Sequence, residues 1–271
     1  MIGAIIGDII GSAYEFDNIN TKDFLLFSKR SCFTDDTVMT CAVAKALLDC
    51  AGDYIALTPE TAAKTMQAVA RRYPDAGYGA RFFHWVFSKN PQPYNSYGNG
   101  SAMRISPVGD LDLNENDTAR IAETVTAVSH NHPEGLKGAL CIAECMRQLK
   151  TGMTKDDLRS CVTEKYYAID KTCDDYRTEQ AGHHGREICQ ISVPQAIVCF
   201  LESTDFEDCM RNCISIGGDS DTIAAIAGGL AEAYYGTPYE LWEQAKLYLD
   251  DYLLSIVAAF YSDVMKTQLS F

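Results

Sequence analysis

The chain has 271 residues, of which 47% are hydrophobic and 22% are charged. This composition is typical of soluble globular proteins, and a chain of this length can bury a large core without cross-links. The formal net charge of −14 argues against a nucleic-acid backbone or an anionic membrane as the main partner. A small anionic ligand is compatible with this charge, because bound divalent cations can make a local site positive on an acidic protein.

Eleven cysteines are present, and none belongs to a Cys-x-x-Cys pair. Cys141 with Cys145, and Cys209 with Cys213, are spaced four apart within apolar stretches. This spacing is typical of small buried side chains on helix faces, and a zinc or redox site is the alternative interpretation. No apolar run approaches the length of a membrane span, and the N-terminal residues lack the basic region of a signal peptide. We therefore expect a protein of the reducing cytoplasm.

Helical periodicity begins at the N-terminus. The isoleucines of residues 2–10 recur at helical spacing. Gly3, Gly7 and Gly11 form a stripe along the same helix, which weakens an isolated helix but permits the close approach of another. A second helix is predicted to begin near Asp35.

Further helical segments follow along the chain. They are predicted over residues 62–72, 117–128, 136–149, 194–202, 206–214, 223–234 and 239–265. Convincing alternation of apolar and polar residues, which is typical of strands, is absent from the sequence. The sequence predicts an all-α protein of about ten or more helices. We expect residues 1–271 to form a single domain, because no linker separates two cores.

Two segments lack helical periodicity. Residues 91–107 are rich in Gly, Pro, Asn and Ser, and residues 168–190 are charged, irregular and contain Gly-His-His-Gly. The second segment is predicted to be either a surface excursion or a lid that faces the substrate.

Two short acidic clusters precede predicted helices. They are Thr34-Asp35-Asp36 and Asp219-Ser220-Asp221-Thr222. Such residues are common at helix N-termini, where their oxygens accept hydrogen bonds from free backbone N–H groups, so helix capping is one interpretation. Each cluster nevertheless contains more carboxylates than a cap uses. Packing carboxylates together is unfavourable unless a cation offsets their charge, which favours a metal site.

The expected geometry of the second cluster, Asp219-Ser220-Asp221-Thr222, also favours a metal site. Residues two apart on an α-helix point about 200° away from each other, so Asp219 and Asp221 would diverge within a helix. Gly217 and Gly218 indicate an irregular approach, in which both carboxylates converge before the helix begins. Carboxylate and hydroxyl oxygens, without histidine or cysteine, suit Mg²⁺ or Mn²⁺.

Six short motifs occur in one order along nearly the whole chain. They are residues 7–15, 34–37, 97–104, 129–130, 192–196 and 217–222. In this order they resemble the ADP-ribosylglycohydrolase family, which includes the dinitrogenase reductase-activating glycohydrolase and human ADP-ribosyl-acceptor hydrolases. Each motif alone is weak, but the ordered set is specific.

The resemblance implies an all-α fold with two divalent cations, Mg²⁺ or Mn²⁺. It also implies hydrolysis of the bond between C1″ of ADP-ribose and a protein side chain or other acceptor. Such a metal centre can orient the ribose diol, activate water and stabilise an oxocarbenium-like transition state. The metal ligands that the resemblance implies are Thr34, Asp35, Asp36, Asp219, Asp221 and Thr222.

Catalytic roles are implied for Glu15, Asp35 and Asp36. Glu15 would be a general base or a gate near the scissile bond; without the resemblance it is an exposed glutamate at a helix C-terminus. Asp8 lies in the apolar first helix, where it would hold neighbouring backbone or support a metal ligand.

The resemblance also implies contacts with ADP-ribose. The residues concerned are Ser96, Tyr97, Gly98, Asn99, Gly100 and His130. Taken alone, the Gly98-Asn99-Gly100 segment is an ordinary turn and His130 is a structural histidine. Consecutive backbone N–H groups in such a loop can hold a diphosphate. Arg104 either helps to bind phosphate or braces the loop through a carboxylate.

One position favours an O-linked substrate. The dinitrogenase reductase-activating type acts on arginine-linked ADP-ribose and has Asp where Ser96 stands in this chain. The human serine-directed member has Ser followed by Tyr, as in Ser96-Tyr97. We therefore expect serine-linked ADP-ribose to be preferred over the arginine-linked form.

Two other interpretations compete with this one. All-α isoprenoid synthases use an Asp-Asp-x-x-Asp pattern, but Met39 stands where the third Asp would be. The second alternative is a catalytically silent member of the same fold that binds ADP-ribose or has a structural, crystallin-like role, although all six implied metal-ligand positions are kept. The expected partner is an ADP-ribosylated protein or a small ADP-ribosyl compound, with no nucleic acid as the main partner and no membrane. The sequence does not decide the oligomeric state, and a monomer is compatible with it.

Overall fold

The structure, a computed structural model, describes residues 1–179 and 187–266. These residues contain fourteen α-helices. In chain order they are α1 (Ile2–Ser12), α2 (Asp35–Leu48), α3 (Pro59–Ala70), α4 (Ala80–Phe87), α5 (Ser106–Asp110), α6 (Glu115–Ala127), α7 (Pro133–Lys150), α8 (Lys155–Lys165), α9 (Cys173–Glu179), α10 (Cys189–Leu201), α11 (Phe206–Ser215), α12 (Ser220–Tyr235), α13 (Tyr239–Ala245) and α14 (Asp251–Ala259). Within the described residues, extended pairing is limited to one bridge, between Gly98 and Ile188. The all-α prediction is confirmed.

Helices α1 and α12 pack backbone against backbone. A Cβ atom at Gly7 would lie 2.0 Å from Ala224 O, and one at Gly11 would lie 2.4 Å from Asp221 Cα. Only a residue without a side chain permits this approach, so the prediction from the glycine stripe is confirmed. The close packing brings the end of α1 beside the beginning of α12, where one acidic cluster lies.

Two predicted helix boundaries are wrong. Helix α10 begins at Cys189 rather than Pro194, and Pro194 lies inside it, where its missing N–H removes one hydrogen bond. The helix predicted over residues 239–265 is divided into α13 and α14. Asp250 accepts a hydrogen bond from Leu253 N at 2.9 Å and caps α14. The apolar spacing continues across this break, so periodicity did not reveal it.

Helices α4, α5, α8 and α9 were not predicted. Helix α9 lies within residues 168–190, which were expected to be irregular, and Cys173 is its only buried residue among those described. A helix without an apolar stripe gives no periodic signal. The Gly-His-His-Gly motif of that segment lies outside the described residues.

The buried hydrophobic side chains form one cluster that includes residues of α1, α2, α7, α10 and α12. No helix in the described parts of the chain combines the length and apolar surface needed to cross a membrane. A single domain over residues 1–271 stays a prediction.

A buried ion-pair group lies at the beginning of α1. The Met1 amino group contacts Asp110 and lies 2.9 Å from Glu232 Oε2. Gly3 N donates to Glu232 Oε2 at 2.7 Å, and Tyr261 OH donates to Glu232 Oε1 at 2.7 Å. We call Met1, Asp110 and Glu232 the amino-terminal cluster.

Candidate active site

A cleft of about 470 Å³ opens where the end of α1 and the beginnings of α2 and α12 meet. Its acidic end is lined by Glu15, Asp35, Asp36, Asp219 and Asp221. We call these five residues the cleft cluster. The two acidic motifs of the sequence therefore meet in one place.

Asp8 fastens the first turn of α2 to α1. Its carboxylate accepts hydrogen bonds from Thr34 N at 2.9 Å, Thr34 Oγ1 at 2.7 Å and Thr37 N at 3.0 Å, and also from Thr37 Oγ1. Burial raises the pKa of Asp8, and these hydrogen bonds act in the opposite direction. Asp8 thus supports the residues beside it, as the sequence indicated.

Asp36 has a buried oxygen that lacks a protein donor. Thr222 Oγ1 donates to Asp36 Oδ2 at 3.2 Å, whereas Oδ1 is buried and has no hydrogen-bond partner among the described residues. Burial, followed by the charges of Asp8 and Asp35, raises the pKa of Asp36 well above its usual value. A buried polar oxygen normally has a partner, so this atom is suited to a cation.

Helix α12 begins directly after Asp219, so the expectation that both aspartates precede the helix is wrong. Gly217 and Gly218 have positive φ angles of 68° and 94°, which produce the irregular approach that the sequence predicted. Asp219 has a non-helical ψ of 75°. Its side chain and that of Asp221 are therefore not held apart by the angle of about 200° that separates residues two apart on an α-helix. Carboxylate oxygens of Glu15, Asp219 and Asp221 accordingly lie within 4.8 Å of one another.

A second group of carboxylate oxygens lies next to the first. Oxygens of Asp8, Asp36 and Asp221 also lie within 4.8 Å of one another, so Asp221 belongs to both groups. Thr34 caps α2 by accepting from Asp36 N at 3.3 Å. Asp35 lines the cleft but belongs to neither group.

Three carboxylates of the cleft cluster have no ion-pair partner among the described residues. Within residues 1–179 and 187–266, no lysine or arginine forms an ion pair with Glu15, Asp35 or Asp36. Burial, with the charges of Asp219 and Asp8, raises the pKa of Glu15 to about 7. Burial, with the charges of Asp8 and Asp219, raises the pKa of Asp35 to about 8. Burial and Asp219 likewise raise the pKa of Asp221 well above its usual value.

Of the six residues predicted to contact the substrate, five line the cleft and one does not. Those that line the cleft are Ser96, Gly98, Asn99, Gly100 and His130. Tyr97 does not line it; the Tyr97 side chain is 43% exposed, and its ring centroid lies 5.0 Å from that of His132.

The side chain of Asn99 is used within the protein. Its Nδ2 donates to Ser192 Oγ at 2.9 Å and to Asp219 Oδ2 at 2.5 Å. Asn99 therefore orients a carboxylate of the cleft cluster. This role also explains the position of Ser192 within a motif of the sequence.

We call the Gly98-Asn99-Gly100 segment the glycine loop. Its backbone N–H groups were expected to be free to bind a diphosphate, but some of them already have acceptors within the protein. Gly98 N donates to Ser96 Oγ at 3.2 Å, and Asn99 N donates to Glu187 O at 3.1 Å. Two of its N–H groups are thus occupied by protein acceptors. His130 also lies beside the loop, and its Nε2 is 3.3 Å from the position that a Cβ atom at Gly100 would take.

Several lining residues were not predicted. Arg81 and Phe82 come from α4, and Tyr94, Met103 and Glu187 come from the neighbouring loops. The Phe82 ring lies 6.1 Å from that of His130. Helix α4 is too short to show a clear period, although the aromatic residues of 82–87 are a weak signal of a ligand-facing wall.

Arg104 lies at the cleft wall with only 1% of its surface exposed. Its Nη2 donates to Ser129 Oγ at 2.9 Å and to Val125 O at 3.4 Å, while its buried Nε has no hydrogen-bond partner within residues 1–179 and 187–266. Bracing through a carboxylate, one of the two roles expected of Arg104, is not seen in the described residues.

The comparisons with known proteins agree with this geometry. The family model described as ADP-ribosylglycohydrolase matches residues 1–267. ADP-ribosylhydrolase ARH3 of Homo sapiens is 27% identical over 90% of this chain and 87% of its own. ADP-ribosyl-[dinitrogen reductase] glycohydrolase of Rhodospirillum rubrum is 26% identical over 87% of this chain and 84% of its own.

A solved structure shares the fold. It is described as an ADP-ribosylglycohydrolase-related protein complex, superposes with a TM-score of 0.70 at 23% identity, and covers 97% of each chain. The family model matches nearly the whole chain, and five of the six motifs that carried the resemblance contribute residues to one cleft. The chain belongs to the ADP-ribosylglycohydrolase family.

Proposed function

We propose that this chain is an ADP-ribosyl-acceptor hydrolase that uses two divalent cations, Mg²⁺ or Mn²⁺. It cleaves the C1″ bond between ADP-ribose and a protein side chain or other acceptor and releases ADP-ribose. The observation that carries the proposal is the convergence of Glu15, Asp36, Asp219 and Asp221 in the cleft. The family, and the names of the two relatives given above, support an ADP-ribosyl substrate.

The donor atoms of the cleft fit such cations. The buried Asp36 Oδ1 has no hydrogen-bond partner in the part of the chain that the structure describes, and the converging groups offer only oxygen atoms. Oxygen donors of this type favour Mg²⁺ and Mn²⁺ over softer metals. The residues that would hold the cations are Thr34, Asp35, Asp36, Asp219, Asp221 and Thr222.

Hydrogen bonds within the protein position two of these proposed metal ligands, Thr34 and Asp219. Asp8 holds Thr34 and the first turn of α2 in place, and Asn99 orients Asp219. Bound cations would orient the ribose diol, acidify water and offset charge near an oxocarbenium-like transition state. Positioning by neighbouring hydrogen bonds matters because misplacing a ligand weakens both metal affinity and activity.

Glu15 is the general base in this proposal, and Asp35 and Asp36 lie beside it in the cleft. A nearby positive charge lowers the pKa of a carboxyl group, so Glu15, whose pKa is otherwise about 7, would be ionised at neutral pH. Glu15 accepts a proton from water as the water oxygen bonds to C1″. The bond from C1″ to the acceptor oxygen breaks, and that oxygen takes a proton from solvent.

The test measures release of free ADP-ribose from an ADP-ribosylated peptide with and without a chelator, for the wild type and Asp219→Ala. Asp112→Ala, at an exposed position of the same charge, is the matched control. We expect chelation and Asp219→Ala to remove activity and the control to retain it. Unchanged hydrolysis after both treatments would show that the reaction does not depend on this metal site.

Ser96 supports a preference for serine-linked ADP-ribose. It lines the cleft without adding charge, and its Oγ accepts from Gly98 N at 3.2 Å. We expect serine-linked peptides to be turned over faster than arginine-linked ones by the wild type, and Ser96→Asp to reduce that preference. Efficient cleavage of the arginine-linked peptide alone would contradict this assignment.

A further inference from the structure

Arg104, Ser129 and His130 form a buried chain of hydrogen bonds beside the glycine loop. Arg104 Nη2 donates to Ser129 Oγ at 2.9 Å, and Ser129 Oγ lies 2.8 Å from His130 Nδ1. The exposed fractions of the three residues are 1%, 0% and 4% in that order. These bonds are therefore shielded from competition with bulk water.

The direction of each bond follows from the donors available. A guanidinium group only donates, so Ser129 Oγ accepts from Arg104. The buried hydroxyl proton of Ser129 needs an acceptor, and His130 Nδ1 is the only group among its described partners that can accept. Nδ1 thus carries no proton, and a neutral imidazole then carries its proton on Nε2.

The protonated Nε2 of His130 lies beside the glycine loop. It lies 3.3 Å from the position of a Cβ atom at Gly100 and 3.6 Å from that at Gly98. Burial, followed by the positive charges of Arg104 and Arg81, holds the pKa of His130 well below its usual value. The ring is therefore neutral and presents one N–H group beside two residues that lack side chains.

We propose that Arg104 and Ser129 are positioning residues that fix the proton of His130 on Nε2, so that this N–H donates to an oxygen of the ligand's diphosphate. The identity of the ligand rests on the proposed function. The location of Arg104 supports an anion here, because its buried guanidinium has an unpartnered Nε and no carboxylate in ion-pair contact among the described residues. A buried positive charge that forms no ion pair is stabilised when an anion binds nearby.

The first test observes the proton directly. Protein labelled with ¹⁵N-histidine is examined at pH 7 by long-range ¹H–¹⁵N correlation, and His130 is assigned from the signals lost in His130→Gln. We expect a protonated Nε2 and an unprotonated Nδ1. A proton on Nδ1, or on both nitrogens, would overturn the proposal without any need for a variant of Ser129 or Arg104.

The second test measures the dissociation constant of ADP-ribose for Ser129→Ala and Ser129→Thr, with circular dichroism as the check of folding. Loss of one hydrogen bond predicts binding that is roughly tenfold weaker for Ser129→Ala, with a mixed tautomer of His130. Ser129→Thr keeps the hydroxyl group and is expected to restore both. Wild-type affinity and an unchanged tautomer in folded Ser129→Ala would refute the positioning role. Failure of the wild type to release ADP-ribose would instead overturn the proposed function, which the NMR result does not test.

Discussion

Two groups of buried or half-buried carboxylates lie at opposite ends of the packed pair α1 and α12. In the amino-terminal cluster, burial would raise the pKa of Glu232, but the Met1 ammonium group and Gly3 N–H hold it below its usual value. Asp110 shares the same ammonium group, and burial keeps its pKa raised. In the cleft cluster, the pKa values of Asp36 and Asp221 are both raised well above the usual range.

The difference lies in where the positive charge comes from. The amino-terminal cluster has a cation within the chain, and its role is to hold α1, α5 and α12 together. The cleft cluster brings five carboxylates together. In the described residues, no lysine, arginine or terminal ammonium group forms an ion pair with Glu15, Asp35 or Asp36. A fold that gives one group of carboxylates a cation, and leaves Glu15, Asp35 and Asp36 of the other without an ion-pair partner in the described residues, is suited to receive cations at the second.

Removing a carboxylate from the cleft should abolish activity without unfolding the protein. For Asp36→Asn we expect the rate of ADP-ribose release to fall on the order of a thousandfold, because a ligand that stabilises transition-state charge is lost. In chelator, its melting temperature should equal or exceed that of the wild type, since an uncompensated acid has become a neutral amide. Calorimetry beside an activity assay checks both; activity within tenfold of the wild type would contradict the comparison.

Removing a carboxylate from the amino-terminal cluster should have the reverse effect. Glu232→Gln leaves the buried Met1 ammonium group poorly paired, and we expect a loss of about 3 kcal/mol in the free energy of unfolding, with or without Mn²⁺. Activity per folded molecule should be unchanged. Denaturant unfolding measures the loss, and Glu123→Gln, at an exposed position, is the control. Equal stability of the two variants would remove the distinction between the clusters.

The pH dependence of the metal-free protein sharpens the same contrast. The pKa values of Glu15 and Asp35 are raised to about 7 and about 8, so the folded state binds more protons than the unfolded state between pH 4 and these values. Stability in chelator should therefore fall as pH rises from about 4 to 8, on the order of 2 kcal/mol after allowance for solvent screening. Saturating Mn²⁺ should flatten this slope. A metal-free stability that rises over this range would show that the carboxylates are already compensated.

Part of the cleft cluster could be predicted from local signals in the sequence. Excess carboxylates at two helix starts favoured a metal site, and the glycine pair before Asp219 predicted that Asp219 and Asp221 converge. The resemblance to the family, and not a local signal, implied that both motifs share one site with Glu15. The glycine stripe of α1, which is a local signal, predicted close contact. The predicted first residue of α12 was wrong, because the same residue types are common at the N-cap position and in the first turn of a helix.

The remaining contacts depend on tertiary packing and had no local signal. Asn99 reaches Asp219 across a large separation in sequence, and Arg104 pairs with Ser129 rather than a carboxylate. Tyr97 turns toward His132 and away from the cleft. Side-chain partners of this kind are decided by how α4, α7 and α10 approach the glycine loop, which periodicity does not report.

The central claim is that the cleft cluster receives two divalent cations. Titration of Mn²⁺ into chelator-treated protein, followed by electron paramagnetic resonance and calorimetry, tests it most directly. We predict two bound ions per wild-type chain, with binding lost or strongly weakened in Asp36→Asn and kept in Glu232→Gln. Absence of Mn²⁺ and Mg²⁺ binding to the folded wild type, or equal binding to Asp36→Asn, would contradict the account.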